Sequence, residues 1–427
     1  MPRVAVAALL VTLFTCLAEC QTIVTLDQCL SSAREHNMQL KISEHASKAA
    51  VLSREELMTT RLPQVELEGT ALYAPSSSHF GYDPIITNSG EYAGQVVGKQ
   101  SIYDGGIRSL RADQLGVEID LQGMEGRVTA RDVVLAVKES FYESLRKQEE
   151  IRLERESVGQ LREYLERVKE LAGAANASTT DILKTRVQLS EAEISLRKAE
   201  GEYAAAKYEL SEVAGFPIDT SFSVSGSLGE DGMSDSLDTV LADSADNLDL
   251  SIAALAVQRN QLDIELTRHE LAPTLSLVAD AGLLTSRDNL RLPSDERMGI
   301  LGYSIGLLLE VPLLNWGATD YRVQQKESQG SILQLQSNLL RRSVSGELKR
   351  TRLELAESRR RLLMLRENTK AAEENFTLTR AKYVAGNSLS LEVLSAQQLL
   401  TDSRLAELET LTGIKLQQAK LEQLLAR

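Results

Sequence analysis

Ile102-Tyr103-Asp104-Gly105-Gly106 and Leu313-Leu314-Asn315-Trp316-Gly317 stand 211 residues apart in the chain. Each closes a stretch of alternating apolar and polar residues and opens a long run without proline. The same spacing recurs on both sides of this pair. Leu26-Asp27 returns as Leu237-Asp238, Pro63 returns as Pro273 (210 residues on), and Asp181 finds Glu392. The distance from 106 to 181 equals that from 317 to 392, 75 residues in each case. Landmarks at nearly one spacing mark an internal duplication, the feature to settle before any fold is assigned. Residues 21–216 form the first repeat and 237–427 the second. Between them lies a Ser/Gly/Asp-rich linker, 217–236, with a short strand expected at 221–225.

Each repeat reads as helix, strand, loop, strand, long helix, short break, long helix. In the first the elements are expected near 26–60, 62–73, 91–103, 106–172 and 179–214; in the second near 237–270, 273–284, 301–314, 317–384 and 389–426. Proline placement frames the long helices: none occurs between 85 and 216 and none after 312. A proline inside a helix costs about 3 kcal/mol or more, so these voids are where uninterrupted helices can run. A helix of some 67 residues would be ~100 Å long at 1.5 Å per residue, which suits a rod or tube rather than a ball. Leu189, Ala192, Leu196, Ala199, Tyr203, Ala206, Leu210 and Val213 step alternately by three and four, a heptad seam. The alanines in that seam allow close helix approach.

The strands alternate with a period of two. Leu301, Tyr303, Ile305, Leu307 and Leu309 share one face of the last strand, and Gly302, Ser304, Gly306, Leu308 and Glu310 the other. In the first strand Val65, Leu67, Gly69 and Ala71 oppose Glu66, Glu68 and Thr70. Such strands fit either a soluble sheet packed on helices or a membrane barrel that is apolar outside and polar inside. Export and the paired repeat favour the barrel. Four strands cannot close one and open edges are not tolerated in lipid, so several chains would have to contribute. Trp316 suits an interfacial anchor, or simply fills the strand–helix junction.

Composition narrows the function. The chain has 427 residues, is 43% hydrophobic and carries a formal net charge of −14, which excludes both a disordered acidic tail and a nucleic-acid binder driven by positive charge. Arg3, an apolar run from Val4 to Leu17, and Ala18-Glu19-Cys20 read as a signal peptide over 1–20, cut after Cys20. Acylation of Cys20 is the alternative. Cys29 is then the lone cysteine of the mature chain, without a disulfide partner, and reads as a small buried apolar residue. No further run of 18 apolar residues occurs. No catalytic constellation, phosphate loop, cofactor motif or metal-ligand spacing is found: the four histidines, 36, 45, 79 and 269, form no HExxH pattern. The chain is therefore not expected to be an enzyme.

Taken in order, these features resemble the TolC-like outer-membrane efflux family over about 24–427. The resemblance rests on Leu26-Asp27 with Asn37, Leu62-Pro63, Tyr103-Asp104-Gly105-Gly106, Val311-Pro312-Leu313-Leu314-Asn315-Trp316-Gly317 and, above all, Tyr383-Val384-Ala385-Gly386-Asn387 through Leu391-Glu392-Val393-Leu394. It implies a mainly α fold with membrane strands: a tandem repeat whose four strands per chain complete a trimeric 12-stranded β-barrel above a long coiled-coil α-barrel. It further implies a homotrimer in outer-membrane lipid, docked through a periplasmic adaptor onto an inner-membrane transporter, and no nucleic acid, cofactor or metal. The function implied is the passive exit duct of a tripartite efflux or type I secretion system. A periplasmic coiled-coil scaffold or adaptor without a barrel is the alternative reading.

The resemblance also directs attention to the helix breaks at 172–180 and 384–388. Asp181 and Glu392 match acidic positions that ring the pore, and Tyr383 matches a tyrosine whose hydrogen bonds help hold the closed state. Ala175 and Gly386 lie in the tip turns where an adaptor would dock. Two positions depart from the pattern: Ser388 stands where an arginine lock would be and Ser395 where a second acid would be. The plainer reading of the acids is local, because a carboxylate in the first helical turn offsets the dipole and Ser178 with Asp181 can form a capping pair.

Overall fold

A computed structural model describes residues 23–74, 81, 90–173, 178–217, 222–229, 247–286 and 301–425. The expected signal segment, the Leu237-Asp238 landmark and much of the linker lie outside these residues. The elements are β1 (Ile23–Val24), α1 (Leu26–His36), α2 (Met38–Thr59), β2 (Gln64–Tyr73), β3 (Gly90–Tyr103), α3 (Ile107–Gly173), α4 (Thr179–Ala214), β4 (Ser223–Val224), α5 (Leu248–His269), β5 (Thr274–Ser286), β6 (Leu301–Glu310), α6 (Ala318–Val384) and α7 (Ser390–Leu425). The chain divides into two compact units. A helical unit comprises residues 1–43, 126–250 and 339–427, and a sheet unit comprises 44–125 and 251–338.

The two proline voids hold the long helices, with α3 and α6 both 67 residues and α4 and α7 both 36. Two expectations are corrected. The first helix, expected to be continuous over 26–60, is broken at Asn37. There Asn37 is extended (φ −63°, ψ 126°), its Oδ1 accepts from the Gln39 amide at 2.9 Å, and its Nδ2 donates to the Val213 carbonyl at 3.0 Å. An asparagine that bonds backbone ahead of itself competes with the helix. Asn247 repeats the device 210 residues later: its Nδ2 donates to the Leu424 carbonyl at 3.1 Å and its Oδ1 accepts from the Asp249 amide at 3.0 Å. The last strand, expected to reach 314, stops at Glu310, because Pro312 lacks the N–H that the ladder needs.

In the helical unit, Cys29 and Ala33 of α1 are buried against Val133, Val137, Phe141 and Leu145 of α3 and Leu210 and Ala214 of α4. Cys29 is fully buried and burial pushes its thiol up to about 12, so it serves as an inert packing group. The heptad seam lies as read, with Ala192, Ala199, Ala206 and Leu210 all buried. A second cluster joins Val158, Leu161, Tyr164 and Val168 of α3 to Phe376 and Tyr383 of α6 and Val393, Leu394 and Leu400 of α7. The short strands β1 and β4 pair in parallel at Ile23–Ser223 and Val24–Val224.

The sheet unit is built on four antiparallel strands in the order β2-β3-β5-β6. Register gathers the alternating residues into rows. Leu67, Val96, Ala281 and Tyr303 form one row, with Val65, Gly98, Ala279 and Ile305 beside it on the same face. Glu66, Val97, Asp280 and Ser304 form a row of the opposite face, followed by Glu68, Gln95, Gly282 and Gly302. Polar pairs cross that face: Gln95 donates to Glu68 at 3.1 Å and Ser304 donates to Asp280. The apolar face is bare, with Leu67 81% and Tyr303 87% exposed. Among the described residues β2 pairs only with β3 and β6 only with β5, so both outer edges lack a strand neighbour. Also among the described residues, no helix is long and apolar enough to cross a membrane.

The two strand-to-helix corners, with which the duplication announces itself, share one geometry. Asp104 Oδ1 accepts from the Gly106 amide and Asn315 Oδ1 from the Gly317 amide, each at 3.2 Å. Gly105 (φ +67°) and Gly106 (φ +83°) correspond to Trp316 (φ +56°) and Gly317 (φ +78°). A side chain at Gly105 would put its Cβ 2.2 Å from that of Ala272, whereas Trp316 holds the same left-handed backbone with its ring exposed. Such a conformation costs an L-residue about 1–2 kcal/mol. Gly105→Ala is therefore expected to destabilise the protein by at least ~2 kcal/mol, and Trp316→Gly to stay within ~1 kcal/mol of it, because strain relief there offsets added chain entropy. Unfolding followed by circular dichroism checks both.

Candidate pore constriction at the helix breaks

A helix that begins at a break leaves its first amides unpaired, so side chains must supply acceptors. At the start of α4, Ser178 Oγ accepts from the Thr180 amide and Asp181 Oδ2 accepts from the Ser178 amide, both at 3.1 Å. This is the capping pair read from the sequence. Glu392 does the same for α7: its Oε2 accepts from the Leu389 amide at 3.4 Å and from the Ser388 hydroxyl. Asp181 and Glu392 therefore occupy equivalent capping positions in the two repeats.

The preceding helix must also be closed. Gly386 adopts φ +75°, its amide donates to the Tyr383 carbonyl at 3.0 Å, and the Asn387 amide donates to the Lys382 carbonyl at 2.9 Å. These two bonds form a Schellman closure, which needs the left-handed glycine. The closure fixes the last turn of α6 and with it Tyr383. Ala175, in the other turn, lies outside the described residues.

Tyr383 is buried, 8% exposed, with its ring centroid 5.3 Å from that of Tyr164 in an edge-on contact. Tyr164 Oη donates to Ser390 Oγ at 3.1 Å. Burial pushes both tyrosine hydroxyls above their ordinary range, and the charge of Asp181 pushes further in the same direction. Asp181 and Tyr383 thus share one electrostatic environment with Tyr164, while Glu392 is engaged elsewhere. The Ser388 hydroxyl and the Leu389 amide hold the Glu392 carboxyl below the usual carboxylate range. Ser388, expected merely to lack an arginine's reach, has a local role as a donor to that acid. Sequence reasoning missed Tyr164 and Ser390. Tyr164 flanks the seam residues Leu161, Leu165 and Val168, and its place three residues after Leu161 was the available signal. A second buried polar contact lies deeper along the same helices, where Gln397 Nε2 donates to Ser157 Oγ at 2.7 Å.

The family model for outer membrane efflux proteins matches residues 29–215 and 244–427. The chain belongs to the outer membrane efflux protein family. Among curated relatives it is 26% identical over 313 residues to the proteases secretion protein PrtF of Dickeya chrysanthemi, a match covering 69% of this chain and 62% of that relative. The chain thus spans less than two thirds of the relative's length. Among solved structures, the outer membrane protein VceC of Vibrio cholerae superposes with TM-score 0.75 at 14% identity, covering 94% of this chain and 95% of that one. CusC superposes with TM-score 0.74 at 16% identity (94% and 91% covered), and the outer-membrane channel OprN with 0.75 at 13% (94% and 89%). At these identities the likeness is one of fold. The family match and the shared fold favour the membrane reading of its strands over the soluble sheet.

The Glu392 environment has a direct consequence. A carboxyl whose folded value is depressed keeps its charge as the pH falls through the ordinary range and loses it only lower. Ser388→Ala removes the main cause and should move that titration upward toward the usual value near 4.3. The check is a carbon-detected NMR titration of the Glu392 carboxyl between about pH 6 and 3, in which the substituted protein should titrate at the higher pH.

Proposed function

We propose that three copies of this chain assemble into the exit duct of a tripartite efflux or type I secretion system. In this reading β6 of one copy pairs with β2 of the next, twelve strands close a barrel in outer-membrane lipid, and the helices wall a periplasmic tunnel. The single observation that carries it is the four-stranded sheet, with a bare apolar face on one side, acids on the other and two edges that have no strand neighbour among the described residues. Lipid accepts the first of these and forbids the last, so the edges call for further copies. The carboxylates Glu66, Glu68 and Asp280 on the polar face suit a watery lumen.

In the same reading the helix breaks form the periplasmic tip. Its turns, at Ala175 and Gly386, meet a periplasmic adaptor that couples the duct to an inner-membrane transporter. Asp181 and Glu392 ring the constriction and favour cations, as charged rings do in channels, and Tyr383 belongs to the gate. Around Gly386 an added Cβ would meet nothing within 4 Å among the described residues, which supports a turn available to a partner. The chain itself moves cargo passively; energy comes from the transporter.

Two measurements test this. Detergent extraction of outer membranes should yield a heat-modifiable trimer, and a soluble periplasmic monomer would refute the duct. Asp181→Asn combined with Glu392→Gln should lower cation preference, read as reversal potential across reconstituted bilayers under a salt gradient. Unchanged selectivity would remove the two acids from the constriction while leaving the duct intact.

A further inference from the structure

The two hairpins of the sheet share one register. Val65 faces Gly98 in the first and Leu275 faces Leu309 in the second, so β2 maps onto β5 with a step of 210 residues and β3 onto β6 with a step of 211. The turn before each first strand repeats as well: the Leu62 amide donates to the Thr59 carbonyl and the Ala272 amide to the His269 carbonyl, both at 2.9 Å. Within the chain, the corner after β3 is closed by the turn before β5. Ala272 lies so near Gly105 that a Cβ there would sit 2.2 Å from its own, and His269 Nδ1 donates to the Gly105 carbonyl at 2.7 Å. The matching corner after β6, at Trp316, and the matching turn before β2, at Leu62, belong to opposite edges of the sheet. Both are bare: Trp316 is 86% exposed and Leu62 63%.

We propose that Trp316 of one copy seats on the turn before β2 of the next, over Leu62, and that β6 and β2 pair across that boundary in the register that β3 and β5 show within the chain. This rests on the duct reading given above and adds the residues by which copies meet. Stepping the pairs Val96–Ala281 and Gly98–Ala279 by the same offsets sets Leu307 opposite Ala71 of the next copy and Leu309 opposite its Gly69. All four positions lie on the bare apolar face, which therefore continues from copy to copy; a slip of one residue would turn it over. The joint between copies differs from the joint within one. Trp316 and Leu62 stand where the inner joint has Gly105 and Ala272, so it cannot close to the same distance, and an indole ring and a leucine side chain fill the wider space. Thr59 stands in the place of His269, and its hydroxyl is already bonded to the Glu56 carbonyl at 2.7 Å. The contact between copies is thus apolar where the contact within a copy is hydrogen-bonded. A head-to-tail contact of this kind repeats until the ring closes. The near-neutral effect of Trp316→Gly on the chain's own folding is unaltered, because this contact lies between copies.

Trp316 is the sole tryptophan, so its fluorescence reads the joint in the full-length protein extracted from membranes in detergent. Leu62→Ser should raise quenching by iodide about threefold, because removing an apolar cover admits water and solute; unchanged quenching overturns the contact. Cysteine pairs then locate it. Leu62→Cys with Trp316→Cys, and Leu307→Cys with Ala71→Cys, should each give a reducible ladder of linked copies on oxidation. Leu309→Cys with Ala71→Cys, two residues out of register, should give little. Strands β2 and β6 of one chain are three strand spacings apart, about 14 Å, which no disulfide spans, so every bridge joins copies. Cys29 is fully buried, and the unsubstituted protein controls for it. Absence of the Leu62–Trp316 bridge overturns the contact, and stronger bridging by the out-of-register pair overturns the register. If Trp316→Cys does not assemble, quenching in Leu62→Ser decides the joint. A heat-modifiable trimer with neither in-register bridge sinks this proposal and leaves the duct standing, whereas a monomer without any bridge sinks both.

Discussion

Backbone hydrogen bonding at the margins of one small sheet governs much else in this protein. Strands β2 and β6 each carry an outer row of N–H and C=O groups with no strand beside them among the described residues. In water such edges invite pairing, and in lipid each unsatisfied group costs several kcal/mol. The apolar face that joins them, from Leu67 through Val96 and Ala281 to Tyr303, is suited to the lipid that makes the edges intolerable. The proposed assembly of copies, each supplying two hairpins, would give these edges their partners.

The duplication is visible in side chains that do backbone work. Asn37 and Asn247 bond backbone in the same way, each holding an amide two residues ahead and reaching a carbonyl near the end of a distant helix. Asp104 and Asn315 shape the same corner, and Asp181 and Glu392 cap the same helix. Between such punctuation marks the chain is free to be monotonous: long helices, small seam residues and few aromatics. Where the repeats differ, the difference is local. Trp316 occupies a backbone that repeat one gives to glycine, and the packing of Ala272 against Gly105 shows why that repeat has no such latitude.

At the helix breaks the acids that cap the helices are the same residues that the proposed duct places at its constriction. The cap accounts for why Asp181 and Glu392 stand in the first turns of α4 and α7, and Ser388 adds a hydroxyl that keeps Glu392 ionised to lower pH. Beneath them Tyr383 packs edge-on against Tyr164, whose hydroxyl donates to that of Ser390. Stability at the breaks therefore combines apolar packing with buried polar contacts between helices far apart in sequence.

By itself the sequence determined the duplication, the long helices and the strands, because proline exclusion, heptad spacing and two-residue alternation are local properties of a chain. It also determined the capping acids, since a cap and its acceptor lie three residues apart. It left the break at Asn37 unseen, because the carbonyl that rewards that break belongs to Val213, 176 residues away. It left Tyr164 and Ser390 unseen for the same reason: their bond spans 226 residues and joins two repeats. Only the tertiary structure decided which strand residues share a row of the sheet and which side chains meet beneath the helix breaks. Those outcomes depend on where distant helices and strands come to rest, and no local pattern encodes that.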